Sequence, residues 1–363
     1  MNLLIDAGHP AHVHYYRNLY FELIKKGHKV IWTVKDIPVA KQLLSHYGIP
    51  YIVLRKKSDG FVGKALKQLN YDYVLLKLCL KEKIDYALGT SITISHISKL
   101  SKVKSFFFED DDDEVVPLSV KIGHPFTTQL ISPSCLKGKQ KRKDTLYYPG
   151  YHELAYLHPK RFQPDPAVLQ DAGLKGGEPF FIMRFNVFKA HHDVGISGLS
   201  LAQKLQLIEE LKPHGKIFIT TEREIELELK EYQLKVSPEK IHSLMAYATM
   251  FLGDSQTMTS EAAVLGIPSL RCNSFAGRIS YIEEEEHRYG LTYGFLPQDF
   301  DKLLIKLNEL LAIPNLREQW QEKRAKMLSE KIDVTAFWVW FIENYPGSLK
   351  DVKENEEFWR RFR

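Results

Sequence analysis

The sequence predicts an α/β protein with two doubly wound parallel-sheet domains of similar size. Three observations support this fold class. Apolar runs of strand length alternate with amphipathic helices in the first half of the chain, a segment rich in Pro, Gly and charged residues follows at 159–179, and the alternation then begins again. At 363 residues, the chain is also long for one hydrophobic core and sufficient for two.

The first half contains six predicted strands, which we place at residues 3–6, 29–34, 51–54, 86–89, 105–108 and 129–132. Apolar residues at helical spacing predict helices between them, at residues 13–26, 39–47, 63–83 and 94–101. Gly27 and Gly48 follow the first two helices, as glycines that end helices commonly do. We expect the strand at 129–132 to be the last of this half.

The second half repeats the pattern, with predicted strands at residues 180–184, 216–220 and 269–271 and a further strand starting at Phe251. Helices are predicted at residues 200–211, 225–229, 241–247, 278–289, 300–312, 316–332 and 336–344, and from Met258 to a stop at Gly266. The expected domains are therefore 1–158 and 159–335. The aromatic helix and tail at 336–363 are a candidate to pack back on the first domain.

The composition is that of a globular protein, with 44% apolar and 26% charged residues. The net charge of +5 suits anionic ligands or a membrane surface, but the basic residues are dispersed and no nucleic-acid-binding motif is present. Cys79, Cys135 and Cys272 have no metal-site spacing and suggest no disulfide framework, which favours the cytoplasm. The first residues form a strand, so we expect no signal peptide, and no apolar run is long enough to span a bilayer.

The most informative segment is 251–270, which is predicted to form a buried strand, a polar turn, a helix and a second strand. Ser255 and Thr257 lie near the predicted helix start, and Glu261 is expected in its first turn. A helix N-terminus of this kind binds phosphate through free backbone N–H groups, and a nearby carboxylate can accept hydrogen bonds from ribose. The alternative is an ordinary βαβ unit whose hydroxyl residues cap the helix, with Glu261 complementing the helix dipole.

The turn after the first strand contains His9, His12 and His14 but lacks the dinucleotide-binding glycine fingerprint. His9 and His12 are candidates for a general base, or for donors to a hydroxyl or a phosphate. The alternative is that His9 only builds the turn and that His14 lies on the helix surface. Three histidines at this spacing match no familiar metal site, so no metal is expected.

Six acidic residues at 109–114 follow the strand at 105–108. Adjacent carboxylates cannot all be buried, so we expect most of them to face water. Glu109 and Asp110 lie nearest the strand and are candidates for a catalytic base or a divalent-cation ligand. For any single member, a solvated loop is the alternative.

Polar residues also follow the strands of the second half. Arg184 and Lys189 are candidates to neutralise a diphosphate, and Thr221 is expected to line the same cleft. Surface cations on a loop are the alternative. The aromatic and basic residues at 358–363 are compatible with a frayed tail, a partner contact or contact with anionic lipid.

With these motifs in place, the chain resembles the GT-B type of protein, and more closely the family known as domain of unknown function 354. Residues 9–13, 26–30, 107–111, 130–133, 148–150 and 258–268 carry this resemblance. Residues 254–262 also have the spacing of the Asp-Ser-Gly-Gly-x-x-Glu-Glu-Ala motif of UDP-N-acetylglucosamine 2-epimerases. Gln256 and Thr257 replace its two glycines, Gly89-Thr90-Ser91 replaces the Gly-Asp-Thr of those enzymes, and their Thr-x-His-Arg pattern is missing around Arg184.

The resemblance implies a GT-B-like glycosyltransferase with an interdomain cleft, acting in polysaccharide biosynthesis. The second domain would bind a nucleotide sugar, with UDP as the expected nucleotide, and the first would bind a glycan or lipid-linked acceptor. Arg184, Ser255, Gln256 and Thr257 would hold the diphosphate, Glu261 the ribose, and His9 or Asp110 would be the base. No cofactor is expected. An epimerase or hydrolase acting on UDP-sugars and a non-catalytic sugar- or nucleotide-binding protein remain alternatives.

Overall fold

The computed structural model describes residues 1–54, 61–185, 198–221, 225–352 and 356–363. The chain divides into two compact units. Unit 1 comprises Met1–Arg161 and Lys331–Arg363, and unit 2 comprises Phe162–Glu330. The sequence analysis places the corresponding boundaries after residues 158 and 335.

Unit 1 is built on a seven-stranded sheet in which every pair of neighbours is parallel, in the order β3-β2-β1-β4-β5-β6-β7. The strands are β1 (Asn2–Ala7), β2 (Lys29–Lys35), β3 (Ile52–Leu54), β4 (Tyr86–Gly89), β5 (Lys104–Phe108), β6 (Gln129–Pro133) and β7 (Leu146–Tyr148). The expectation that β6 is the last strand is wrong, because β7 adds an edge. β7 lies between the lysine-rich segment 136–144 and Pro149-Gly150, so no apolar run of strand length marks it in the sequence.

The helices of unit 1 are α1 (Pro10–Lys25), α2 (Pro38–His46), α3 (Phe61–Lys81), α4 (Ile92–Leu100), α5 (Pro117–Ile122), α6 (Leu154–Leu157), α14 (Val334–Glu343), α15 (Ser348–Asp351) and α16 (Glu356–Trp359). The first two begin three residues and one residue before their predicted starts, each at a proline. Proline suits the first helical position because an N–H at that position would have no intrahelical acceptor.

The C-terminal segment packs within unit 1. Trp338 of α14 is fully buried, and its ring centroid lies 4.2 Å from that of Phe108 at the end of β5. Asp333 caps α14 by accepting the N–H of Ala336 at 3.1 Å, and it also accepts a hydrogen bond from Nε of Arg161 at 2.7 Å. Residues from the far end of the chain therefore complete the core beside the carboxyl end of β5.

Unit 2 is built on a five-stranded parallel sheet in the order β12-β11-β10-β8-β9. Its strands are β8 (Phe180–Arg184), β9 (Lys216–Thr220), β10 (Met250–Gly253), β11 (Ser269–Cys272) and β12 (Thr292–Phe295), the last of which the sequence analysis missed. Its helices are α7 (Ala167–Asp171), α8 (Leu201–Leu211), α9 (Ile241–Met245), α10 (Gln256–Leu265), α11 (Ser280–His287), α12 (Phe300–Leu311) and α13 (Leu316–Glu330). Two parallel-sheet α/β units confirm the predicted fold class.

Two helices of unit 2 differ from the prediction. Helix α10 begins at Gln256, two residues before the expected start, and ends at Gly266 as expected, with a left-handed φ of +71°. The helix predicted at 225–229 is instead a 3-10 helix at Leu227–Tyr232. Among the described residues, no helix combines the length and the apolar composition that crossing a membrane requires.

Gly253→Ala tests the close approach of β8 and β10. A Cβ at Gly253 would lie 2.1 Å from the carbonyl oxygen of Arg184, so the strands would have to separate. We expect a loss of about 1–3 kcal/mol in the free energy of unfolding, measured from the urea midpoint. Gly176→Ala is the matched control, because a Cβ there would meet no atom within 4 Å. Equal urea midpoints for the two variants would contradict the prediction.

Candidate functional site

In unit 2, polar residues converge where β8 and β10 end. The backbone N–H of Asp254 donates to the carbonyl oxygen of Arg184 at 3.1 Å, and the absence of a side chain at Gly253 allows this contact. Thr221 follows β9, whose last residue is paired with Arg184. Since β8 and β10 lie where the strand order reverses, this is the edge at which doubly wound sheets bind ligands.

The N-terminus of α10 lies at the same place. Ser255 is the N-cap, and its Oγ accepts the N–H of Met258 at 3.4 Å. Gln256 and Thr257 are the first two helical residues and are partly exposed. Their N–H groups belong to the first turn, which has no intrahelical acceptors, so they point toward any ligand at the helix end.

The structure changes the position of Glu261. It lies in the second turn of α10, not the first, and it is buried. Its Oε1 is 2.9 Å from Nε2 of His242, a buried residue of α9. His242 was not predicted from the sequence, because a single histidine in a short helix carries no signal. A hydrogen bond from the imidazole orients the carboxylate, and the ribose contact of Glu261 stays a prediction.

Lys189, the second predicted cation, lies outside the described residues. Arg184 is described and is half-buried at the end of β8. Of the predicted residues of this half, the structure therefore brings together Arg184, Ser255, Gln256, Thr257 and Thr221 at one edge of the sheet.

In unit 1, the corresponding edge lies at the ends of β1, β4 and β5. Gly89 is paired with Asp6 and with Phe107, so the turns after these strands are neighbours. His9 is the N-cap of α1, and its Nδ1 accepts the N–H of Ala11 at 3.2 Å. This capping role is the turn-building role that the sequence analysis weighed. His14, expected on the helix surface, is instead buried and stacks on Tyr156.

His12 is a hydrogen-bond donor in this geometry. Its Nδ1 accepts the N–H of Gly8 at 3.2 Å, so the neutral ring carries its proton on Nε2. Burial, followed by the neighbouring His9, lowers the pKa of His12 to about 3. A neutral imidazole with its basic nitrogen occupied suits donation to a ligand oxygen better than proton abstraction.

The acidic run is more buried than expected. Glu109, Asp112 and Asp113 are buried, so the expectation that most of the six residues face water is wrong. Oε2 of Glu109 lies 3.1 Å from Nε2 of His124, and Asp113 accepts the N–H of Lys141 at 2.7 Å. These partners come from segments after the run, which a local pattern does not show. Burial, then the adjacent carboxylates of Asp111 and Asp110, raise the pKa of Glu109 well above its ordinary value.

Asp110 and Asp111 are the partly exposed members of the run nearest β5. Burial alone would raise the pKa of Asp110. Nδ1 of His152 lies 3.0 Å from Oδ2 of Asp110, and this interaction outweighs burial, so the pKa of Asp110 is lowered. Burial and the neighbouring Asp110 and Asp112 raise the pKa of Asp111 to about 7. A carboxyl that titrates near neutrality is a good general base, so Asp111 joins the candidates. Neither His152 nor this difference within the run was visible in the sequence.

A cation also lies beside this edge. Lys35 ends β2, and its Nζ would be 3.3 Å from a Cβ placed on Gly8, in the turn that precedes His9. Carboxylate atoms of Glu109, Asp110 and Asp111 lie within 4.8 Å of one another, a spacing that a divalent cation can bridge. Two of these residues already contact His124 and His152, and the expectation of no metal stays a prediction.

The comparison with protein families assigns the chain. A family model described as "Protein of unknown function (DUF354)" matches residues 1–284. The chain belongs to this family. An uncharacterised protein of Methanocaldococcus jannaschii is 22% identical to this DUF354 protein over 286 residues, which are 75% of this chain and 82% of the relative.

Solved structures with a similar fold include UDP-N-acetylglucosamine 2-epimerases and glycosyltransferases. A complex of Staphylococcus aureus MnaA with UDP has a TM-score of 0.67 at 13% identity and covers 98% of this chain and 99% of that one. The Neisseria meningitidis UDP-GlcNAc 2-epimerase bound to UDP-GlcNAc has a TM-score of 0.65 at 12% identity, with 95% and 100% covered. A glycosyltransferase of Streptomyces sp. SF2575 with thymidine diphosphate has a TM-score of 0.61 at 13% identity, with 95% and 99% covered. At these identities the likeness shows the GT-B-type fold alone.

His12→Asn tests the electrostatics of the first turn. Asn Oδ1 can still accept the Gly8 N–H but does not titrate. Because the pKa of folded His12 lies below the unfolded value of 6.5, the unfolded chain takes up the proton first as the pH falls. Wild-type stability should therefore decrease between about pH 6.5 and pH 3 relative to the variant, by at most about 1.4 kcal/mol per pH unit and by less because the ring is partly exposed. Parallel curves of unfolding free energy against pH would refute this.

Proposed function

We propose that this DUF354 protein is a glycosyltransferase that moves a sugar from a nucleotide donor, with UDP as the nucleotide, to a glycan or lipid-linked acceptor in polysaccharide biosynthesis. The observation that carries the proposal is the group formed by Arg184, Ser255, Gln256 and Thr257 at the N-terminus of α10. This group lies where the strand order of unit 2 reverses.

The chemistry of that group suits a diphosphate. The free N–H groups of the first helical turn and the helix dipole favour a negative charge, and Arg184 adds a cation whose planar fork matches phosphate oxygens. Negative charge grows on the diphosphate as the bond to the sugar breaks. Donors already in place at that point stabilise the transition state more than the bound substrate. We assign the ribose to Glu261, which His242 orients.

The polar edge of unit 1 suits the acceptor. A transferase needs a base for the proton of the acceptor hydroxyl, and Asp110, held by His152, and Asp111 are partly exposed carboxyls at the end of β5. His12 offers a neutral N–H donor, and His9 lies exposed one turn away. We propose that Asp110 or Asp111 removes the proton of the acceptor hydroxyl, and that the histidines orient the acceptor or the sugar.

An epimerase or hydrolase acting on UDP-sugars is the second candidate, favoured by the spacing of residues 254–262. One observation in unit 1 favours the transferase instead. Thr90 stands where the epimerase motif has a carboxylate, and its Oγ1 is 2.6 Å from the hydroxyl of Tyr16. A hydroxyl in this hydrogen bond cannot serve as the missing acid or base near neutral pH.

Binding of UDP and of pyrophosphate to the full-length chain tests the donor site. Arg184→Gln should weaken both ligands by about ten- to hundredfold, since a hydrogen bond to a charged group is lost. Glu261→Gln should weaken UDP but leave pyrophosphate unchanged, because only UDP has a ribose. Isothermal titration calorimetry measures both affinities.

Arg288→Gln is the matched control for charge. Arg288 follows α11, whose C-terminal end lies at the opposite edge of the sheet, so its loss should leave both ligands unaffected. If Glu261→Gln weakened the two ligands equally, the ribose assignment would be wrong. If Arg184→Gln behaved like the control, the diphosphate site would lie elsewhere.

Product analysis by NMR separates the candidate reactions. Incubated with UDP-N-acetylglucosamine alone, the wild-type protein should leave the sugar unchanged, and UDP should accumulate only when an acceptor-containing glycan extract is added. Asp110→Asn should then slow turnover by about 10²–10⁴-fold with unchanged affinity for UDP. A changed sugar without acceptor would establish the epimerase, and UDP binding without turnover under any condition would leave a binding protein.

A further inference from the structure

Helix α3 carries an exposed apolar stripe that the proposed reaction does not use. Leu69, Tyr73 and Leu80 are 63%, 65% and 64% exposed. Their spacing of four and seven residues places them on one side of the helix. The opposite side, with Tyr71, Leu75 and Cys79, is buried in the core of unit 1.

Neighbouring elements also carry exposed apolar side chains. Nδ1 of His96 in α4 lies 2.7 Å from Oδ2 of Asp72 in α3, and Nε2 lies 2.9 Å from the carbonyl oxygen of Ile122 in α5. Leu100, four residues after His96 and thus on the same face of α4, is 63% exposed. Phe126 packs its ring against His96 at 6.0 Å and is 39% exposed. We call Leu69, Tyr73, Leu80, Leu100 and Phe126, with the lysines around them, the α3 face.

The charge of the α3 face has one sign. The sequences of α3, α4 and α5 contain six lysines, four in α3 and one in each of the others. Their single acidic residue is Asp72, which is buried and hydrogen-bonded to Gln68 and His96. Lys77, Lys81, Lys99 and Lys121 are exposed. Glu82, just beyond α3, is bound to Lys29 at 2.7 Å and lies 3.8 Å from Lys81.

We propose that the α3 face docks unit 1 on an anionic membrane surface. Exposed leucines and aromatic rings among lysines are the composition that enters the headgroup region, where apolar side chains leave water and each lysine gains from the negative lipids. A second copy of the chain is a poorer occupant, because a two-fold interface would bring two sets of lysines together, and the described residues of α3, α4 and α5 include no exposed carboxylate to pair them. This docking does not depend on the proposed reaction.

The C-terminal tail is a weaker anchor than the α3 face. Phe358, Trp359 and Phe362 are buried, and their rings pack against Phe337 and Trp340 of α14. Of the tail residues considered for lipid contact, Arg360 and Arg361 are exposed, but the aromatic rings are not available for insertion. Lipid contact is one of the three alternatives that the sequence of the tail leaves open, and the α3 face is the better candidate for it.

Vesicle flotation of the full-length protein tests the docking. The wild type should float with vesicles of phosphatidylcholine and phosphatidylglycerol but not with phosphatidylcholine alone. The double variant Lys77→Glu, Lys81→Glu should lose about 25-fold in affinity, from about fivefold for each lysine. Leu69→Ser, Tyr73→Ser and Leu80→Ser, combined, should also release the protein, including at high salt, where the apolar contribution remains.

The double variant Lys25→Glu, Lys350→Glu is the matched control. Both lysines are exposed in unit 1, outside the α3 face, and the change in net charge is the same. An equal loss of vesicle affinity in the two double variants would show that only the net charge of the protein matters, and would overturn the proposal. Failure of the wild type to bind anionic vesicles would overturn it too. If sedimentation showed a dimer that the triple serine variant dissociates, the α3 face would be assigned to a second copy of the chain. Calorimetry with UDP keeps the two proposals separate, because the α3 variants should bind UDP normally if that site exists.

Discussion

The close approach of two central strands at their carboxyl ends is the constraint on which both candidate sites depend. In unit 1 a Cβ at Gly89 would lie 2.7 Å from the carbonyl oxygen of Asp6, and in unit 2 a Cβ at Gly253 would lie 2.1 Å from that of Arg184. Each glycine ends the strand next to the point where the strand order reverses. The turns that follow are therefore held together by backbone packing, before any side chain contributes.

The two edges use this framework in different ways. The edge of unit 2 carries the N-terminus of α10 and Arg184, two groups that favour an anion, beside the buried Asp254. The edge of unit 1 concentrates carboxylates and histidines, with one lysine beside the first turn. In the proposed transfer, the edge of unit 2 would hold the departing diphosphate and the edge of unit 1 would take the proton of the acceptor hydroxyl.

Histidine–carboxylate pairs recur throughout the molecule. Four of them are Asp72–His96 at 2.7 Å, Glu109–His124 at 3.1 Å, Asp110–His152 at 3.0 Å and Glu261–His242 at 2.9 Å. Each of these four pairs joins two segments that are separated in the sequence, and each gives a buried or half-buried carboxylate the partner that burial demands. The same type of contact thus serves packing in the α3 face and orientation in the candidate sites. The pairs in the candidate sites differ from the pair in the α3 face by their position near the strand ends, not by their residue types.

The sequence by itself determined the α/β alternation, the strand ends that carry polar residues and the helix that stops at Gly266, because these follow from local period and from glycine and proline chemistry. It missed β7, which lies between a lysine-rich segment and Pro149-Gly150, and β12, which Gly294 interrupts. Only the tertiary structure decided that Glu109 and Asp113 are buried, that His152 and His242 hold Asp110 and Glu261, and that Leu69, Tyr73 and Leu80 stay exposed. The physical reason is that burial and pairing depend on residues distant in the chain, which the sheet order brings together and which a local pattern cannot contain.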